Sequence, residues 1–347
     1  MTSPGYRAFP WARLPIIQAP MAGAQGSAMA AAVSRAGGLG SLPCAMLTPE
    51  GMRAELEALR RHIAGPWNVN FFCHEMPVPD ASREAGWRAA LRPYHDEWGI
   101  DQANIDPGSG RLPFGPEAAN LLAEYRPAVV SFHFGLPAPD LLERVKSCGA
   151  QILSTATTVE EARWLEAHGA DAVIAQGYEA GGHRGMFLSR DLTTQIGTLA
   201  LVRQIVRAVR LPVIAAGGIS DAEGVRSALA LGAAGVQAGT AFLFCPEATI
   251  SAVHRAALRS ETAGHTVLTN VFTGRPARSI VNRLIREIGP ISPLAPDFPL
   301  ATGAVAPLRA RAEVVGSGDF SPLWSGQNAR GCAEMPAADL TRRLAGY

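Results

Sequence analysis

Residues 166–177, "EAHGADAVIAQG", pass from a helical pattern through a single glycine into a short, wholly apolar run. Gly169 fits the left-handed position that closes a helix, and the run after it suits a strand buried on both faces. The same grammar recurs in "SRAGGLGSL" (34–42), "KSCGAQILS" (146–154) and "LALGAAGVQAG" (229–239), with Gly37, Gly149 and Gly232 at the closing position. The runs "PIIQAP", "WNVNFF", "AVVSFHFG" and "PVIAAGG" raise the count to eight strands, at Ile16, Leu39, Asn68, Val129, Ile152, Ala172, Val213 and Val236. Between most of them lie helical patterns such as "TPEGMRAELEALRRH", "TVEEARWLEAH" and "SDAEGVRSALAL", with Thr48, Thr158 and Ser220 placed to cap them. Eight apolar strands alternating with helices predict an α/β fold of the (β/α)8 class, a TIM barrel.

The rhythm breaks twice. Residues 73–120 are too long and too rich in proline for a simple crossover, which predicts a helical excursion with "NIDPGSGRLPFGP" as a loop. After Phe244, "PEATISAVHRAALRS" and "SIVNRLIREIG" read as helices outside the barrel. The expected organisation is a barrel over residues 1–245, a smaller, mainly helical accessory or lid domain over 246–325, and a segment over 326–347 whose helix "PAADLTRRLAG" returns to the barrel.

Composition removes several function classes. Of the 347 residues 48% are apolar and 18% charged, which suits a compact soluble core. The amino terminus has no basic segment followed by an apolar one, and no apolar run reaches membrane-spanning length, so the reading is cytoplasmic and without a membrane partner. A net charge of +1, with scattered arginines, leaves nothing to grip a phosphate backbone, so nucleic acid is not expected. Five widely spaced cysteines indicate neither a zinc site nor a disulfide framework; no metal is expected. Lys146 is the only lysine and lies in a helix, against Schiff-base chemistry at a strand end.

In a barrel of this kind ligands sit at the carboxyl ends of the strands, with phosphate on the loops after strands seven and eight. Here "AAGGIS" and "QAGTAF" follow those strands, and Gly217, Gly218, Gly239 and Thr240 offer main-chain N–H groups and one hydroxyl. Singly each glycine reads as a tight turn; the pairing on adjacent loops favours phosphate. Strand six ends in "GYEAGGHRGMF" (177–187), where Gly181 and Gly182 would let the chain lie against a flat ligand under His183. His133, at the end of strand four, either shares that mouth or makes a structural hydrogen bond to a neighbouring loop. Pro20, Met21, Ala22 and Gly23 form an apolar and backbone shelf, or Met21 fills core. Asn70 and Gln176 are strand-end amides able to pair with the edge of a flavin, although Asn70 alone also reads as a turn former.

The ordered blocks "QAPMAG", "AAAVSRAGGLGSL", "NVNFF", "SFHFGLP", "AQGYEAGGHRGMF", "LPVIAAGGI" and "GVQAGTAFLF" resemble the nitronate monooxygenase family, formerly 2-nitropropane dioxygenases, in its bacterial class I form; "FTGRPAR" and "LWSGQ" extend the likeness beyond residue 245. The resemblance implies a barrel that binds FMN and uses dioxygen to oxidise nitronates to carbonyl compounds and nitrite through a flavin semiquinone, without NAD(P)H. It assigns Met21, Ala22, Gly23, Asn70, Gln176, Gly181, Gly218, Gln237, Ala238, Gly239 and Thr240 to FMN, and His183, with His133 nearby, to the nitronate or nitroalkane substrate. It also implies tyrosines and a lysine in the lid where this chain has Phe298, Thr302, Ala306 and His254, which predicts a more apolar substrate. Three rivals stand beside it: an NAD(P)H-dependent FMN reductase of the enoyl-acyl-carrier or quinone type, a flavin-free sugar-phosphate barrel, and a non-catalytic flavin sensor. Oligomeric state, including a homodimer, and lid mobility stay open.

Overall fold

A computed structural model describes residues 9–105 and 111–347. Eight strands make one parallel sheet: β1 (Ile16–Gln18), β2 (Ser41–Pro43), β3 (Asn68–Phe72), β4 (Val129–His133), β5 (Gln151–Ala156), β6 (Ala172–Gln176), and, after a short extra strand β7 (Gly182–His183), β8 (Val213–Ala216) and β9 (Gly235–Ala238). The order β1-β9-β8-β6-β5-β4-β3-β2 becomes a ring through the parallel bridge Ile17–Leu39, where Gln18 N–H donates to Leu39 O at 3.0 Å. All eight expected strands are present, and the eighth-strand partner of β1 is set in register by Ile17 opposite Gln237.

Gly37, Gly149, Gly169 and Gly232 have φ of 101°, 86°, 96° and 100°, so the helix-closing reading holds at each. Thr48 and Thr158 cap their helices by accepting from Gly51 N and Glu161 N. Ser220 does not: Asp221 caps the helix Ala222–Ala230 by accepting from Gly224 N at 2.7 Å, and Ser220 Oγ accepts instead from Asn328. The carboxylate one residue later presents the stronger acceptor to an N-terminus.

The barrel interior is packed by Ile17, Leu39, Val129, Leu153, Ala172, Ile174, Ile214 and Ala216, with Trp11 in the same cluster. Outside, a second layer joins helices to strands, and the helix Ala337–Leu344 places Ala337, Leu340 and Leu344 in that layer. Fully burying a leucine contributes on the order of 2 kcal/mol.

The break after β3 contains the helix Ala81–Glu97; the expected loop "NIDPGSGRLPFGP" falls partly outside the described residues. Trp87 and Leu91 of that helix share an apolar cluster with Leu284, Val305, Leu308 and Phe320. Two strands absent from the sequence reading also appear here, β10 (Thr266–Thr269) and β11 (Ala277–Ile280), so "SIVNRLIREIG" is a strand end followed by the helix Arg283–Ile288. They form an antiparallel sheet in the order β10-β11-β7, which ties the segment after β6 to the chain beyond residue 265. Among the described residues no helix is long and apolar enough to cross a membrane, and the five cysteines are free.

Candidate active site

Strand alternation builds the site. Side chains two apart share a face of a strand, so the inward sets of β4, β5 and β6 climb from apolar at the barrel floor to polar at its mouth, while that of β3 runs from polar to apolar. Val129 is followed by Ser131 and His133, Leu153 by Thr155, Ile174 by Gln176, and Asn68 by Asn70 and Phe72. The upper members line a cavity of about 1730 Å³, including its open mouth, at the carboxyl ends of the strands. Of the residues singled out in the sequence, His133, His183, Met21, Ala22, Gly23, Asn70, Gln176, Gly181, Gly182, Gly217, Gly218, Gln237, Gly239 and Thr240 all line it. Ala238 does not. As the fourth residue of β9, on the face of Val236, it turns into the outer core at 2% exposure, and its carbonyl accepts from Ala19 N–H at 2.8 Å.

One wall is made of amides. Gly217 and Gly218 hold φ of 123° and 71°, a conformation that side chains resist, so glycine is required there. Among the described residues the N–H groups of Gly217, Gly218, Gly239 and Thr240 have no acceptor within the chain. Thr240 Oγ1 accepts from Gly326 N at 2.9 Å, which leaves its own proton to donate. Gln237 Oε1 nearby is buried without a partner. Unsatisfied donors converging at a strand-end mouth suit a phosphate group.

The opposite wall is made of imidazoles, and burial drives both far from their usual protonation. His183 is held well below the ordinary histidine value, first by desolvation and then by the charge of Arg111. His133 is lowered to about 3, again chiefly by desolvation. Both rings are neutral near pH 7. His133 Nε2 lies 3.2 Å from the carbonyl of His183 and must donate to it, so Nδ1 accepts from Thr155 Oγ1 at 3.0 Å. For His133 the structural hydrogen bond and the place at the mouth coexist. His183 Nε2 lies 2.9 Å from Thr273 Oγ1, which lies 3.4 Å from Arg275 O. The ring and the hydroxyl share one proton along the shorter contact, and Nδ1 has no partner among the described residues.

The glycines around His183 have other duties than the sequence suggests. A Cβ on Gly181 would meet Gly326 N at 2.5 Å, and one on Gly185 would meet Thr155 Cγ2 at 2.4 Å: the chain itself approaches them. Gly182–His183 is a strand, paired with Arg278 and Ala277. The Gln176 amide is likewise turned to the protein, donating to His183 O at 2.9 Å and accepting from Gly185 N at 2.8 Å. Arg184, fully buried, donates to Gln176 O and Gly177 O at 2.8 and 2.6 Å and to Gln195 Oε1 at 2.9 Å, which clamps the turn after β6.

Amides opposite a neutral imidazole at a barrel mouth define a site type, and comparison with known proteins supplies its lineage. The family model for nitronate monooxygenase matches residues 9–346. Similar curated proteins include nitronate monooxygenases from Pseudomonas aeruginosa, 45% identical over 95% of each chain, and from Paraburkholderia phytofirmans, 41% identical over 95% of this chain and 91% of that one.

The chain belongs to the nitronate monooxygenase family.

It is thus an oxidoreductase of a flavoprotein family. A solved nitroalkane oxidase from Streptomyces ansochromogenes superposes with a TM-score of 0.88 at 41% identity, covering 96% of this chain and 95% of that one. FabK from Thermotoga maritima is more distant, with a TM-score of 0.71 at 28% identity over 96% and 92%. Of the four positions at which the resemblance predicts tyrosines and a lysine, only His254 lines the cavity; its pKa is lowered to about 4 by burial, and Nε2 lies 3.0 Å from Trp324 O. Phe298 stands behind the wall, its ring 5.3 Å from that of His183; Thr302 bonds Phe272 O; Ala306 is exposed.

Sequence reasoning missed Phe72, Thr155, Thr273, Trp324 and Arg111. The period of two along β3 and β5 points to the first two. Thr273 sits in the quoted "FTGRPAR" block, and Trp324 in "LWSGQ". Arg111 follows a proline-rich stretch with no periodic signal.

Proposed function

We propose that the protein is an FMN-dependent nitronate monooxygenase that converts alkyl nitronates and dioxygen to carbonyl compounds and nitrite without NAD(P)H. The supporting observation is the placement of neutral, buried His183 across one cavity from four unused main-chain donors. In this reading Gly217, Gly218, Gly239 and Thr240 hold the FMN phosphate, while Met21, Ala22, Gly23, Asn70 and Gln237 lie along the ring system. Bound FMN supplies the electron acceptance and the dioxygen chemistry.

The chain's own residues bind, orient and exclude. A nitronate arrives already deprotonated, so it needs no strong base, and desolvated His183 is a poor one. Nδ1 faces the substrate as an acceptor and as a weak site for the α-proton when a neutral nitroalkane enters. His133 acts through position: its Nε2–H holds the His183 carbonyl and so the strand that carries the imidazole. Phe72 and Trp324 give the cavity its apolar lining. Residues 1–245 form the flavin barrel, 246–325 the lid and 326–347 the closing segment, with the helix Ala81–Glu97 packed into the lid core.

Two measurements test the reading. The purified protein carries a flavin spectrum and, on release, FMN by mass. Ethyl nitronate in air yields nitrite in an assay without NAD(P)H; rapid anaerobic bleaching of the flavin by NADPH, with no nitrite from the nitronate, would overturn it in favour of a reductase.

A further inference from the structure

The cavity's charge is not balanced by the residues that shape it. Six of its lining residues are ionisable: Arg111, His133, His183, His254, Arg309 and Glu313. The three histidines are neutral, and Arg309 is paired with Glu313 at 2.9 Å. That leaves Arg111 as the lining cation with no carboxylate partner among the described residues. Its Nη1 is buried without a hydrogen bond, and its guanidinium carbon lies 5.6 Å from the centre of the Phe298 ring, whose neighbours include His183 at 5.3 Å. Its main chain is fixed from below, where His74 Nε2 lies 2.8 Å from Arg111 O.

A guanidinium with a buried, unsatisfied donor is costly unless an anion completes it. The state of His183 sharpens the point. Its Nε2 is taken up by Thr273 Oγ1 and the buried ring is uncharged, so it brings no positive charge to a nitronate oxygen. A nitronate needs donors and a positive charge, and its planar pair of oxygens matches the planar fork of arginine.

We infer that Arg111 binds the nitronate group of the substrate, a role that the lid's phenols and ammonium, absent here, do not fill. This rests on the nitronate reading above. The reactive group is then held between a guanidinium from the loop before the helix Pro116–Tyr125 and the imidazole of β7, the first supplying charge and the second an acceptor.

The test uses flavin-loaded protein, so that the amide wall is filled, and nitrate as a planar oxyanion probe followed by flavin absorbance. Arg111→Met weakens nitrate binding and raises the ethyl nitronate KM, each by roughly 10- to 100-fold, while Arg111→Lys recovers part of both. The KM for neutral nitroethane moves little. Wild-type affinity for nitrate in Arg111→Met overturns the inference, as does a loss confined to nitronates that carry a separate carboxylate, which would place Arg111 at the substrate's tail. The two readings fail separately: an enzyme inert toward nitronates whose nitrate site still requires Arg111 loses the functional reading and keeps the oxyanion site.

Discussion

The two walls of the cavity solve the problem of a buried ligand in opposite ways. On the amide wall, Gly217, Gly218, Gly239 and Thr240 use main-chain donors, with Gly217 and Gly218 in left-handed turns whose carbonyls accept from Thr198 and Asn328. On the imidazole wall, His183 is positioned by β11, by Thr273 and by His133, side chains and backbone up to 94 positions away in the chain. A wall of backbone depends on few side chains and tolerates change except at its glycines. A wall of side chains depends on every support behind it. The predictions that follow probe that contrast.

Arg184→Met should break the imidazole wall most severely. The change removes the Arg184 donors from Gln176 O, Gly177 O and Gln195 Oε1, with Ala180 N–H still donating to Gly177 O, and a loss of about 3 kcal/mol is expected in urea unfolding of the loaded enzyme. A loss under about 1 kcal/mol would mean that the turn after β6 is held by its strand pairing alone.

His183→Ala removes the acceptor while the amide wall stands. Nitronate kcat/KM should fall on the order of 10²-fold, and flavin content should stay at the wild-type level. Unchanged turnover would remove the residue from the mechanism, and loss of flavin would show that the walls are not independent.

His133→Gln tests the pH limb. The folded-state pKa, about 3, lies below the unfolded value of about 6.5. The contribution to stability is therefore complete above about pH 6.5 and is lost as pH falls through the window down to about 3, with a limiting slope of about 1 kcal/mol per pH unit. His254 and His74, each lowered to about 4, act in the same direction. The variant should unfold with a visibly shallower dependence on pH between 6 and 4; an unaltered profile would assign the acid sensitivity to other groups.

Gly218→Ala should do least. A side chain at φ 71° costs about 1 kcal/mol, and its Cβ would meet Glu179 Cβ at 3.2 Å. Weaker flavin retention, measured by dialysis, is the expected result, and full retention would shift the phosphate toward Gly239 and Thr240.

The eight strands, the closing glycines and two of the three caps were legible because each is a local event. A period of two or of 3.6 residues, or a glycine at a helix end, is decided within a few residues of chain. The glycine pair after β8 and the Gly239–Thr240 pair after β9 were legible for the same reason. Ser220 was misread because two neighbouring residues compete for one cap, and only the fold shows that Asn328 occupies the hydroxyl. The strands β10 and β11 were missed because short segments that alternate weakly take their identity from partners.

The chain by itself, then, determined the barrel and the glycine-rich strand ends that line its cavity, since both follow from residue periodicity and from conformations open only to glycine. Only the tertiary structure decided that Gly182–His183 is a strand and that Gln176 faces its own chain. It also decided that His183 is buried and neutral, and that Arg111 lines the same cavity with no carboxylate partner among the described residues. Protonation and charge balance depend on burial and on neighbours from distant segments, and those exist only once the chain has closed.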